Sequence, residues 1–180
     1  MIKLGITACI MPPDSTRGTF SKKDLFYVES DMVHYLNTDK SIPLIIPSFK
    51  QEKDLHRFID QLDAVVIHGG VDVCPESYNE NFHAVEFLED SVLANEIYVD
   101  SGREGFVNSI HHQAIKKLGT NLKVEAISPD DKIIEAFKYD CDDNFIYGVQ
   151  WHPEFNHTLG DKLVGADSLL EYFISQISKK

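Results

Sequence analysis

Asp63-Ala64-Val65-Val66-Ile67-His68-Gly69-Gly70 decides the fold: a short apolar, β-branched run that stops at a glycine pair. Such a run is a strand buried on both faces, as in parallel sheets. Upstream, Gln51 to Leu62 carries Leu55, Phe58, Ile59 and Leu62 at helical spacing. Before that, Ile42-Pro43-Leu44-Ile45-Ile46-Pro47 reads as a strand fenced by prolines. Lys22 to Leu36 has Leu25, Val28, Met32, Tyr35 and Leu36 on one side, with Ser21 as a candidate cap and Asp24 in the first turn. Pro12 to Thr19 is a loop. Ile2 to Cys9 is a further buried strand. The first seventy residues therefore read β-α-β-α-β, the pattern of a doubly wound, mainly parallel α/β sheet. Ligands bind such sheets at the carboxyl ends of the strands, where Gly69-Gly70 lies.

Downstream the period changes. His83 to Glu89 alternates like a half-exposed strand, and Ser91 to Tyr98 reads as a short helix or turn. Phe106-Val107-Asn108-Ser109 leads into His111-His112-Gln113. Leu122–Ile127 and Ile133–Tyr139 form a hairpin-like pair around Ser128-Pro129-Asp130-Asp131. Phe145 to Trp151 is a strand closing on His152-Pro153-Glu154, and Leu163 to Ile177 is a final amphipathic helix.

The chain has 180 residues, a length expected for one domain, 1–180. With 43% hydrophobic and 26% charged residues it has the balance of a globular chain. Its formal charge of −12 argues against nucleic acid and against an anionic membrane surface as partners. No apolar run has the ~18 residues of a membrane span. The N-terminal MIKLGITACIMPP is interrupted by Gly5, Thr7 and Pro12-Pro13 and reads as a strand, not a signal peptide. Three scattered cysteines (Cys9, Cys74, Cys141) give no disulfide framework or zinc knuckle, and a cytoplasmic setting is the expectation.

Several residues could carry chemistry. Gly69-Gly70 frees backbone N–H groups to face a ligand, or is a plain tight turn. His152 ends a strand with Glu154 beside it: a general base with its orienter, or a surface-loop histidine. Asn108-Ser109-Ile110-His111-His112-Gln113 could bind polar substrate atoms or a metal, or cap the following turn, 114–118; adjacent histidines lack the i, i+4 spacing of two ligands on one helix face. Cys74 lies just past the glycine turn, where backbone N–H groups could favour a thiolate. Cys9 reads as packing, and Cys141 sits among Asp140, Asp142 and Asp143, which disfavour its thiolate.

These pieces in this order resemble the class I glutamine amidotransferase-like family, in its γ-glutamyl hydrolase and γ-glutamyl-γ-aminobutyrate hydrolase branch. The matching stretches are Gly5-Ile6-Thr7, 42–47, Leu62 to Val73 with Pro75 and Tyr78, Val107 to Ala114, Ile134-Glu135-Ala136, and Gly148-Val149-Gln150-Trp151-His152-Pro153-Glu154. The resemblance implies a flavodoxin-like fold and hydrolysis of a γ-glutamyl amide by a Cys-His-Glu triad, with no cofactor and no metal. It makes His152 the base and Glu154 its orienter. Gly69 and Gly70 would shape the oxyanion hole, and His111, His112 and Gln113 would line the substrate pocket.

One element of the family is missing. Its nucleophile sits on a Gly-x-Cys-x-Gly-x-Gln turn between the glycine pair and the His-His-Gln segment, and no Gly-x-Cys-x-Gly occurs in this chain. A central strand-helix unit of ~30 residues or more is expected to be absent. A general base without its nucleophile forms no thioester, so an impaired or inactive enzyme that still binds a small γ-glutamyl-type ligand is expected. Cys74 as substitute nucleophile is the alternative. Two further readings are a non-catalytic metal-binding or scaffold protein using His68, His111, His112, His152 and Glu154, and an internally deleted form of an ordinary enzyme. Loss of a central strand also leaves sheet edges that a second copy, as a homodimer, could complete.

Overall fold

The computed structural model of the chain describes residues 1–69, 82–110, 113–141, 144–156 and 162–179. The chain divides into two compact units, Met1–Gly70 with Ile177–Lys180, and Val71–Gln176.

In the first unit β1 (Ile2–Thr7), β2 (Cys9–Met11), β3 (Leu25–Tyr27), α1 (Ser30–Leu36), β4 (Ser41–Ile46), α2 (Glu52–Ile59) and β5 (Ala64–Val66) follow one another. β1 lies between β4 and β5 and runs parallel to both, in the order β4-β1-β5. Gly5 pairs with Leu44 on one side and Val65 on the other. Leu4 and Ile6 are fully buried on one face of β1. On the other face a Cβ at Gly5 would run into the side chains of Leu62 and Ile46, so glycine is what lets them lie against the strand. Both faces of β1 are thus covered, as a parallel sheet requires.

Three expectations for this unit change. The run 63–67, expected as a strand buried on both faces, is a strand only at Ala64–Val66, with Val65 and Ile67 exposed. The helix expected over 22–36 is helical only at Ser30–Leu36. Within its first half Leu25–Tyr27 is β3, which pairs antiparallel with β2, Cys9 opposite Tyr27 and Met11 opposite Leu25. Leu25-Phe26-Tyr27 fits a pleated ribbon better than a helix once β2 supplies cross-strand partners. The strand expected over 2–9 stops at Thr7, and Cys9 opens β2 instead.

The second unit contains β6 (Phe82–Phe87), a π-helical turn (Leu93–Ile97), β7 (Glu104–Asn108), β8 (Leu122–Ile127), β9 (Ile134–Tyr139), β10 (Tyr147–Val149) and α3 (Ala166–Ile177). Its sheet has the order β10-β9-β8-β6-β7 and is antiparallel throughout. The expectation of a mainly parallel sheet therefore holds for the first unit and not for the second. The local reason is connection length: β8 and β9 are joined by a short turn, which can reverse the chain but cannot cross over to a parallel neighbour.

The β8–β9 register shifts between Val124 and Ala126, leaving Glu125 as the extra residue of a bulge. The bulge turns both Glu125 and Ala126 inward, which strict alternation forbids. The core of this unit gathers Val85, Phe87, Leu93, Tyr98, Val107, Ala126, Ala136 and Trp151. Phe87 and Tyr98 stack with ring centroids 5.2 Å apart. Among the described residues no helix is long and apolar enough to cross a membrane.

Candidate active site

β10 feeds the chain into Trp151, which is buried, and then into His152. Pro153 opens a single 3-10 turn, Pro153–Phe155, where its missing N–H and fixed φ fit the first position. The turn folds Glu154 back onto the residue two before it. The Glu154 carboxylate Oε1 lies 2.9 Å from His152 Nδ1, with the two side chains 3% and 12% exposed. A carboxylate at Nδ1 holds that nitrogen protonated and leaves Nε2 as the free base.

The turn is anchored by a residue from the end of β7. Asn108 is fully buried. Its side-chain oxygen accepts the His152 backbone N–H at 2.8 Å, and its side-chain nitrogen donates to the His152 carbonyl at 2.6 Å and to Asn156 Oδ1 at 3.2 Å. Asn156 in turn donates to the Val164 carbonyl at 2.7 Å. The Phe155 ring lies 5.6 Å from the imidazole, centroid to centroid. This arrangement presents one oriented imidazole with a fixed tautomer, the requirement for moving a proton to or from a reacting group.

Of the expected site residues, His152 and Glu154 are brought together in this unit. Gln113 lies in the same unit and is exposed. Gly69 lies in the first unit, with its carbonyl 3.6 Å from Cys9 Sγ. Gly70, Cys74, His111 and His112 fall outside the described residues. Asn108, expected among substrate contacts, is turned inward as the clamp on His152. Cys9, expected as packing, faces His68, its Sγ 3.1 Å from Nδ1. Among the described residues no three His, Cys, Asp or Glu side chains gather as a metal site.

The fold resembles that of a Thermoplasma acidophilum protein whose crystal structure is described as that of a GMP synthase component, with a TM-score of 0.62 at 14% identity, over 99% of this chain and 95% of that one. Protein NtpR of Enterococcus hirae is 23% identical over 230 aligned positions, which take in 88% of this chain and 92% of that protein. The γ-glutamyl-γ-aminobutyrate hydrolase PuuD of Escherichia coli K12 is 47% identical over 51 residues, 28% of this chain and 19% of that protein. The family model described as Peptidase C26 matches residues 4–86 and 80–154, a span that carries the strands of both units and the His152–Glu154 turn. On that match the chain belongs to the Peptidase C26 family, of class I glutamine amidotransferase-like proteins.

Proposed function

We propose that this protein binds a small γ-glutamyl-type ligand and hydrolyses it far more slowly than the intact enzymes of its family. The observation that carries this reading is a retained His152–Glu154 pair in a chain with no Gly-x-Cys-x-Gly turn. Two features of the comparisons support an internal loss. An alignment of 230 positions that uses 88% of a 180-residue chain leaves about 70 positions opposite no residue of this chain. The family model also matches in two pieces that meet at residues 80–86, in the interval where the nucleophile turn is expected. About 70 positions is enough for a central strand with its flanking helices.

The energetic consequence is large. Losing the nucleophile of a triad costs on the order of 10⁶ in kcat, and what remains is the residual catalysis of binding and electrostatics. Incubation with glutamine and with a γ-glutamyl anilide, reading ammonia and aniline, tests the proposal. Turnover orders of magnitude below an intact family member is expected, together with saturable binding of a γ-glutamyl amide by calorimetry. Turnover comparable to the intact enzyme overturns it, and loss of that turnover in Cys74→Ser would assign the nucleophile to Cys74.

A further inference from the structure

Cys9 and His68 each follow a strand of the first unit's parallel sheet by two residues, Cys9 after β1 and His68 after β5. The two strands are adjacent and parallel, so both residues leave the sheet at its carboxyl end. β1 pairs with β4 on one side and with β5 on the other, while the chain visits them in the order β1, β4, β5. The strand order thus reverses between β1 and β5, and their carboxyl ends form the switch point where open α/β sheets hold ligands.

At that point Cys9 Sγ lies 3.1 Å from His68 Nδ1. The backbone N–H of His68 donates to Thr7 Oγ1 at 2.8 Å, which ties the histidine to the end of β1. Burial, and then the Glu29 carboxylate, push the Cys9 thiol above its usual range, with a Tyr27 hydrogen bond opposing them. The sulfur therefore rests as S–H within reach of two acceptors, the Gly69 carbonyl at 3.6 Å and His68 Nδ1 at 3.1 Å, and the ring's second nitrogen is Nε2. That nitrogen is enclosed and has no hydrogen-bond partner among the described residues. Buried polar groups are left unsatisfied chiefly where strain or chemistry explains them.

We propose that Cys9 and His68 are a thiol–imidazole centre, carried wholly by the first unit, that accepts an acyl group from a small activated ester or amide. The thiol proton passes to His68 Nδ1 as Sγ bonds to the acyl carbon. The bond from that carbon to the leaving oxygen or nitrogen breaks, and the imidazolium returns the proton to the leaving group. The product is S-acyl Cys9, and water releases the acid and regenerates the thiol. This general-base route needs no preformed thiolate, which suits a thiol held protonated.

The test uses the full chain and p-nitrophenyl acetate, which has no γ-glutamyl group, so its outcome is separate from that of the γ-glutamyl turnover assay. Nitrophenolate release is followed, and the adduct is located by peptide mass mapping after an acid quench. Acetyl on Cys9 at least about tenfold faster than on the exposed Cys141 is expected, with His68→Gln slowing Cys9 by a similar factor and leaving Cys141 unchanged. In the unaltered protein the Cys9 rate should level off well below about pH 8.5, where a free thiol ionises; this arm holds even if His68→Gln fails to fold. Acylation of Cys9 no faster than Cys141, an unchanged rate in a folded His68→Gln, or a rate that simply tracks thiol ionisation overturns the proposal.

Discussion

At the scale of single residues, Asn108 shows how a polar side chain can be structural beside a functional group. It satisfies both backbone groups of His152 from a fully buried position. Asn108→Leu would leave a buried N–H and a buried carbonyl without partners, at about 1–3 kcal/mol for each group. Urea denaturation should show a loss of about 2–4 kcal/mol, and a loss under about 0.5 kcal/mol would mean that Asn108 does not clamp the turn. His83 carries a second residue-scale consequence. Its imidazole lies 3.2 Å from the Glu135 carboxylate, and that carboxylate raises its pKa, with burial opposing and Asp131 and Asp130 adding to the rise. A raised folded-state value means that the fold favours the protonated ring. The stabilisation is complete below the unfolded imidazole value of about 6.5 and is lost as pH rises through the folded value. The stability advantage of wild type over His83→Gln should therefore be larger near pH 5.5 than near pH 8.5. An advantage that does not change with pH would show that the pair does not titrate between the two states.

At the scale of elements, β9 and β10 meet through an unequal pair, Phe137 opposite Gly148. A Cβ at Gly148 would overlap two atoms of the Phe137 ring and press on a third. The ring covers the glycine, a cross-strand arrangement that packs an aromatic side chain over bare backbone. Gly148→Ala forces the ring out of its place, and overpacking of this kind costs about 1–3 kcal/mol in unfolding experiments. The bulge on the same sheet has a comparable role. It directs Glu125 inward, where its carboxylate accepts the Val92 N–H at 2.6 Å and the Tyr147 hydroxyl at 3.3 Å and pairs with Lys138 at 3.2 Å. One side chain so links β8, β9, β10 and the approach to the π turn. The strands were legible because alternation is a local signal: 122–127 and 134–139 stand where the sequence puts them. The bulge was not, since it depends on the partner strand's register. The helix expected over 22–36 failed for a related reason. Leu25, Val28 and Met32 fit a helical period, yet Leu25-Phe26-Tyr27 finds a partner in Cys9–Met11, fourteen or more residues away in sequence.

At the scale of the whole molecule, the same distinction separates the two candidate centres. His152 and Glu154 are two residues apart, so the sequence alone pairs them at sight. Cys9 and His68 are separated by 59 positions and meet only because β1 and β5 are neighbours, a fact fixed by the sheet and not by either local segment. The proposed loss of a strand unit acts at this scale too. Among the described residues β5 pairs with β1 alone, and Ile67, just past β5, is 83% exposed. An edge strand with unpaired backbone groups and exposed apolar side chains is a template for another chain. We propose a second copy of this protein as the partner of that edge, because two identical edges can pair about a two-fold axis. Sedimentation should reveal a dimer whose fraction rises with concentration. Ile67→Lys places a charge at the end of that edge, a device by which natural sheets discourage pairing, and should shift the population to monomer without lowering the thermal midpoint of the monomer itself. A protein that sediments as a monomer at every concentration, or a dimer indifferent to Ile67→Lys, would place the assembly surface elsewhere and leave β5 an ordinary strand end.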